Sequence, residues 1–271
     1  MIKKILLLIL FLCSPVLGQW QNGLKPMMGQ RIDRSNPLST GLVGYWLMNE
    51  GGGNIVQDLS GNGNTGTFGA GAAAPSWVSG KFGSAISFDG GDNINITGFT
   101  SDSVDHTFVF WLSSTLDSTT KYLFDASGDR FIIAWHISGQ TAFGFYDGNW
   151  KAYSADKPPN DGLWHNIILT FDSSNSKAIY YLDGIYNNET TYTNSTLFGT
   201  VKLFSLFNDT SHWSGQASSV SYYNRALSAG EIAELYRNPF GMFEPTFSAW
   251  WYSGIGGEEP AAFGQVIMIS N

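Results

Sequence analysis

The stretch Asp161–Gly184, DGLWHNIILTFDSSNSKAIYYLDG, restricts the fold more than any other part of the chain. Trp164–Asp172 is apolar-rich, with Ile167, Ile168, Leu169 and Phe171. Ser173–Ser176 interrupts the run, Lys177–Leu182 resumes it, and Asp183-Gly184 is a hairpin turn signal. An antiparallel pair this long belongs to a large twisted sheet, because two strands alone cannot bury both faces.

Further strands are predicted at Leu42–Met48, Ala85–Phe88, Asn93–Ile96, His106–Ser113, Lys121–Asp125, Arg130–His136, Thr141–Tyr146, Trp150–Ser154, Val201–Phe207 and Gln216–Tyr223. In His106–Ser113, Phe108, Phe110 and Leu112 alternate with Thr107, Val109 and Trp111, so both faces of that strand are expected to be covered. About a dozen strands with turn residues between them predict an all-β, two-sheet antiparallel jelly-roll sandwich and exclude alternating βαβ units. The 32 glycines and the low charged fraction of 13% suit a surface of turns and hydroxyl-rich strands. One helix is predicted near the end. Ser228 and Glu231 have capping-box spacing, Ile232, Leu235 and Tyr236 share a face, and Asn238-Pro239 stops it. The domain therefore spans residues 38–243.

Residues 1–18 read as a signal peptide: Lys3 and Lys4, then the apolar run Ile5–Leu12, then Pro15 and Val16-Leu17-Gly18 before a cut at Gln19. The alternative is an uncleaved anchor. Leu12 before Cys13 argues against lipidation. The expected location is outside the cell or in the envelope or periplasm, with no membrane insertion after cleavage. Removing Lys3 and Lys4 leaves 12 Lys and Arg against 22 Asp and Glu, a net charge of −10 in place of −8. Such an acidic chain is a poor partner for nucleic acid or anionic membrane. Removing Cys13 leaves no cysteine, so stability must come from the core or a metal. Residues 19–37 read as a linker or loosely ordered arm. The tail 244–271 carries Phe247, Trp250, Trp251 and Tyr252. It adds an edge strand, packs on another chain, or stays loosely ordered.

Four strings together resemble the laminin-G-like jelly rolls of the concanavalin A-like lectin/glucanase superfamily, in their bacterial and phage-associated branch. They are GLVGYWLMNEGGG with DLSGNGNTG (Gly41–Gly66), GKFGSAISFDGGDNINI (Gly80–Ile96), DGLWHNIILTFD with YLDG (Asp161–Gly184) and YYNRALSAGEIAELY (Tyr222–Tyr236). They occur in the family's order. The resemblance implies the fold strongly and the ligand weakly, since lectins, glycosidases, adhesion modules and virion proteins share it.

Asp58, Asn62 and Asn64 fall within seven residues of a Gly-rich loop, a pattern that suits a hard cation needing several oxygens. The resemblance likewise implies a structural calcium where this loop meets the first and last strands. It also implies an acidic residue where this chain has Ser218 or Ser219, and losing a carboxylate weakens such a site. The other reading of Asp58, Asn62 and Asn64 is Asx-turns, and Asp89 and Asp92 around Gly90-Gly91 read as a plain turn.

Glycoside hydrolysis needs two carboxylates about 5–9 Å apart. No glutamate here lies mid-strand beside an acid at i+2 or i+4; Glu231 and Glu234 are explained by capping and solvation. His106, His136 and His165 sit on strands, and neither a Gly-x-Ser-x-Gly elbow nor a zinc or phosphate-loop pattern occurs. Catalysis is therefore not expected. Glycan binding needs exposed aromatic rings beside amides and carboxylates. The candidates at turns are Tyr146, Asn149 and Trp150, and Asp209 and Trp213. Sequons at Asn95, Asn188, Asn194 and Asn208 matter only in a source that glycosylates. The expectation is a secreted, non-catalytic carbohydrate- or surface-binding module stabilised by calcium, with a glycan or cell-surface polymer as partner. The alternative is a structural, adhesion or virion assembly protein whose aromatic tail docks on a partner chain.

Overall fold

The computed structural model describes residues 25–115, 121–126, 131–136, 143–153, 158–193, 197–206 and 211–244. The expectations for residues 1–18, for Asp209 and for the tail beyond Glu244 fall outside the described residues. The strands are β1 (Leu42–Trp46), β2 (Ile55–Val56), β3 (Gly66–Phe68), β4 (Ser76–Gly80), β5 (Gly83–Asp89), β6 (Ile94–Ser101), β7 (His106–Ser113) and β8 (Lys121–Ala126). Then come β9 (Phe131–His136), β10 (Gly144–Asp147), β11 (Trp150–Ala152), β12 (Trp164–Asp172), β13 (Lys177–Leu182), β14 (Ile185–Thr191), β15 (Leu197–Leu203) and β16 (Ser214–Tyr223). Helix α1 (Ala229–Arg237) follows.

Two antiparallel sheets form a sandwich. The first runs β14-β13-β12-β7-β16-β5-β4, with β1 also against β16; the second runs β11-β10-β9-β8-β15-β6-β3-β2. The predicted jelly roll is the fold the chain adopts. Its centre is β7, held between β12 and β16 and buried at every residue except Ser113. Phe108, Phe110 and Leu112 enter the space between the sheets, while Val109 and Trp111 enter a second cluster on the outer side. Rings fill the inter-sheet core, as in the pairs Phe108–Phe124 (4.6 Å) and Phe131–Phe171 (5.0 Å). Each fully buried ring contributes roughly 2–3 kcal/mol by area removed from water.

The opening hairpin forms as expected, from Ile167↔Leu182 to Asp172↔Lys177. Asp183 (φ 51°) and Gly184 (φ 76°) both take the positive φ of a two-residue turn. Gly184 is also sterically required, because a Cβ there would lie 2.7 Å from Tyr236 Cβ on α1. β14 was not predicted. It is a largely exposed edge, IYNNETT, so no buried face imposes an apolar alternation on it.

The outer face of the first sheet is covered by the chain itself except toward its β14 edge, where Tyr186, paired with Tyr181, is 54% exposed. Ile232 and Leu235 of α1 are buried against it, and the capping box forms: Ser228 Oγ accepts from Glu231 N–H, and the Glu231 carboxylate accepts from Ser228 N–H. Residues 25–37, expected as a loose arm, also pack here. Ile32 is buried and bridges Phe243, Asp33 N–H donates to Met242 O, and Lys25 N–H donates to Phe82 O. Among the described residues no helix is long and apolar enough to cross a membrane.

Candidate functional site

The second sheet is organised differently on its outer side. Strand register places Asn95 opposite Lys202, Lys202 opposite Asp125, Asp125 opposite Ile132, Ile132 opposite Tyr146, and Tyr146 opposite Trp150. Directly paired residues share a face, so these six form one row across six strands, β6-β15-β8-β9-β10-β11. The row is an amide, a cation and a carboxylate at one end and two aromatic rings at the other. Lys202 and Asp125 are buried, while Trp150 is 42% exposed.

A second row lies beside it: Tyr122 opposite Ala134, Ala134 opposite Gly144, and Gly144 opposite Ala152. Its small residues lower the surface next to the rings. Irregular register in β8 turns Tyr122 to this side, where its ring stands 6.3 Å from that of Trp150. Tyr146 and Trp150 meet edge to face at 5.3 Å. Between them Asn149 is exposed, Gly148 takes φ 104°, and Asp147 N–H donates to Asn149 O. Sequence reasoning thus named Tyr146, Asn149 and Trp150, and the structure brings them together. It missed Tyr122, Ile132, Asp125, Lys202 and Asn95, which only the register unites.

Trp213 is a correction. It was expected as an exposed ligand-binding ring, but it is fully buried between the sheets, against Phe204 (5.2 Å), Trp135 (5.7 Å) and Phe88 (6.0 Å). Its main-chain N–H donates to Phe204 O.

The Asp58 loop turns hydrogen-bond donors toward the carboxylate where calcium would need free oxygens. Asp58 Oδ1 accepts from the N–H groups of Tyr45 and Ser60, and Oδ2 accepts from Ser60 Oγ and Asn64 N–H. The Asn62 and Asn64 amides donate to Val43 O. Every carboxylate lone pair faces a hydrogen, so these residues as placed do not fit a calcium ion. They pin the loop to β1. Among the described residues no three His, Cys, Asp or Glu side chains gather as metal ligands do.

Further polar contacts hold the hairpin, the core and a turn. His165 Nδ1 meets Asp183 Oδ2 at 2.8 Å, and Asn166 N–H donates to Asp183 Oδ1, which locks the hairpin. His106 Nδ1 meets Tyr222 Oη at 2.8 Å inside the core. Asp89 and Asp92 form the expected turn, with Asp89 N–H on Asp92 and Gly91 N–H on Asp89; burial pushes the Asp92 carboxyl above its ordinary value. A separate groove of about 550 Å³ lies at the edge of the first sheet, lined by Gly51, Trp77, Val78, Ser79, Gly80, Gly83 and Ser84.

Two packed antiparallel sheets with this connectivity define the concanavalin A-like class of jelly rolls. The sequence model of the laminin-G-type family described as the concanavalin A-like lectin/glucanases superfamily matches residues 88–233, and the chain belongs to that family. No curated protein sequence matches the chain. Among solved structures it is similar to domain 4 of an extracellular arabinanase of Geobacillus stearothermophilus in complex with arabinotriose: TM-score 0.58, 17% identity, covering 72% of this chain and 98% of that one. It is also similar to the binding domain of Paraclostridial Mosquitocidal Protein 1 (0.55, 16%, covering 78% and 56%). A third is the binding domain of Botulinum Neurotoxin DC in complex with SialylT (0.54, 9%, covering 74% and 52%). The chain spans about half the length of the two toxin domains. At these identities the likeness shows the fold.

Proposed function

We propose that the chain is a non-catalytic glycan-binding module acting outside the cell, and that its binding face is the outer side of the second sheet around Tyr146, Asn149 and Trp150. The observation that carries this reading is the row ending in Tyr146 and Trp150, with an indole 42% exposed above small residues. An exposed ring offers a flat apolar surface to the C–H face of a sugar, while Asn149 and the Trp150 N–H offer hydrogen bonds to hydroxyls. The similar arabinanase and neurotoxin domains, one with arabinotriose and one with SialylT, support a carbohydrate ligand for this fold. Non-catalysis is supported by Asp58, Asp89 and Asp183, whose carboxylates are engaged in holding turns.

A glycan array and pull-downs on insoluble cell-wall polysaccharide test the reading. The wild type should be retained, and Trp150→Ala should lose at least about tenfold in affinity, as expected for an aromatic anchor. Folded wild type blank in both assays would remove the glycan reading. Loss on Trp77→Ala with none on Trp150→Ala would move the site to the edge groove.

A further inference from the structure

β16 changes partner along one of its edges. Ser214–Ala217 pair with β5, Val220–Tyr223 pair with β1, and the ladder to β7 on the other edge shifts register between Ala217 and Ser219. β5 and β1 therefore lie end to end, with a seam at Ser218. Three main-chain carbonyls converge on the seam. They belong to Met48, just beyond β1, to Ser84 in β5 and to Ser218 in β16. The Lys25 ammonium donates to all three, at 2.9, 2.5 and 2.6 Å. Its three hydrogens are thus all used. Met48 is fully buried at φ 54°, a left-handed conformation that a residue with a Cβ adopts at a cost, where the chain leaves β1.

We propose that this seam is a cation-binding site built into the first sheet, which the chain fills with its own Lys25 in place of a metal ion. Converging carbonyls from separate strands repel one another and need a positive charge between them, and oxygens of this kind suit a hard cation of calcium's class. Two further oxygens belong to the same neighbourhood. Ser218 Oγ is buried without a partner, and so is Glu50 Oε2, although Glu50 Oε1 accepts from Gln57 N–H. Burial drags the Lys25 ammonium down to about 7, while the Glu50 carboxylate pulls it back up. Three charge-assisted bonds also favour the protonated form. Lys25 is thus a tethered ion. It ties residues 25–37 to the point where three strands meet, and it supplies the positive charge that the Asp58 loop is not arranged to recruit.

The test is thermal unfolding of the full chain at about pH 6, where the ammonium is charged. The wild-type Tm should be indifferent to EDTA and to calcium chloride. Lys25→Ala should fall by roughly 5 °C or more and recover as calcium chloride is added, because an ion that binds only the native state stabilises it. Lys25→Met, whose stem still blocks the seam, should fall without recovering. The proposal is overturned if Lys25→Ala matches wild type, if its loss is indifferent to calcium, or if wild type loses stability in EDTA. Where Lys25→Ala does not fold unaided, refolding from urea decides: recovery that depends on calcium supports the site, and failure at every calcium concentration overturns it.

Discussion

The two sheets both carry aromatic rings on their outer sides, and the chain covers those at the centre of the first sheet while leaving those of the second open. On the first sheet Tyr186 of the edge strand β14, beside Tyr181, stays 54% exposed. On the first sheet Trp111 and Tyr223 are buried beneath α1 and the segments around Ile32, Phe240 and Phe243. On the second sheet Tyr146 is half-buried and Trp150 is 42% exposed. The rings differ little in chemistry. What differs is whether the chain supplies a cover with its own anchors. The first sheet has a capped helix, the Asp58 clamp on β1 and Lys25 at the seam. An exposed ring that the fold leaves open beside polar neighbours is better placed to meet a ligand than any ring the fold has closed over.

The contrast breaks most severely if the covered face is opened. Ile232 is fully buried under α1, so Ile232→Ala should cost about 2–5 kcal/mol of unfolding free energy. Urea denaturation reads this directly, and a loss below about 1 kcal/mol would mean the helix is not a true cover. The Asp58 clamp ranks next. Asp58→Ala leaves the N–H groups of Tyr45, Ser60 and Asn64 without their acceptor and should cost about 2–3 kcal/mol. Chelator on the wild type should leave stability unchanged; a chelator effect as large as the substitution would restore a metal to that loop.

A smaller effect belongs to the cap. The Arg225 guanidinium, bonded to the Glu231 carboxylate, holds it down to about 2, and the Ser228 N–H and hydroxyl add to this against a partial desolvation. The folded value lies below the ordinary carboxylate value of 4.5. The stabilisation is therefore complete above about pH 4.5 and is lost as pH falls toward 2. Glu231→Gln keeps capping-box geometry but loses the charge. It should cost about 0.5–1 kcal/mol at neutral pH after allowing for solvent screening, and nothing near pH 2. A difference from wild type that persists undiminished in acid would assign the effect to packing.

What was legible in the sequence was local. Asp161–Gly184, the alternation in His106–Ser113 and the spacing of Ser228 and Glu231 each carry their geometry within a few residues, and each forms as read. What was not legible depends on register between distant strands. Asn95 and Lys202 are neighbours only because β6 and β15 pair, and Ser218 sits at a seam only because β1 and β5 share one edge of β16. Trp213 was misjudged for the same reason. Its position after a turn resembles that of Trp150, and nothing local says which of the two points inward. Lys25 looked like one residue of a loose arm, since a lone lysine carries no sign of the three carbonyls it meets.

The smallest predicted effect on stability is the most informative about the open face. Trp150 is 42% exposed, so Trp150→Ala forfeits one edge-to-face contact with Tyr146, a looser tilted one with Tyr122 and part of the ring's burial. An exposed aromatic pair of this kind is worth about 0.5–1.5 kcal/mol, and the variant should fall at the lower end with an unchanged urea m-value. Were Trp150→Ala to cost as much as Ile232→Ala, the indole would be a structural plug, and the two outer faces would be closed alike. A loss near 0.5 kcal/mol means the fold gains little from holding that ring at the surface, which is the outcome the proposed binding face requires of Trp150.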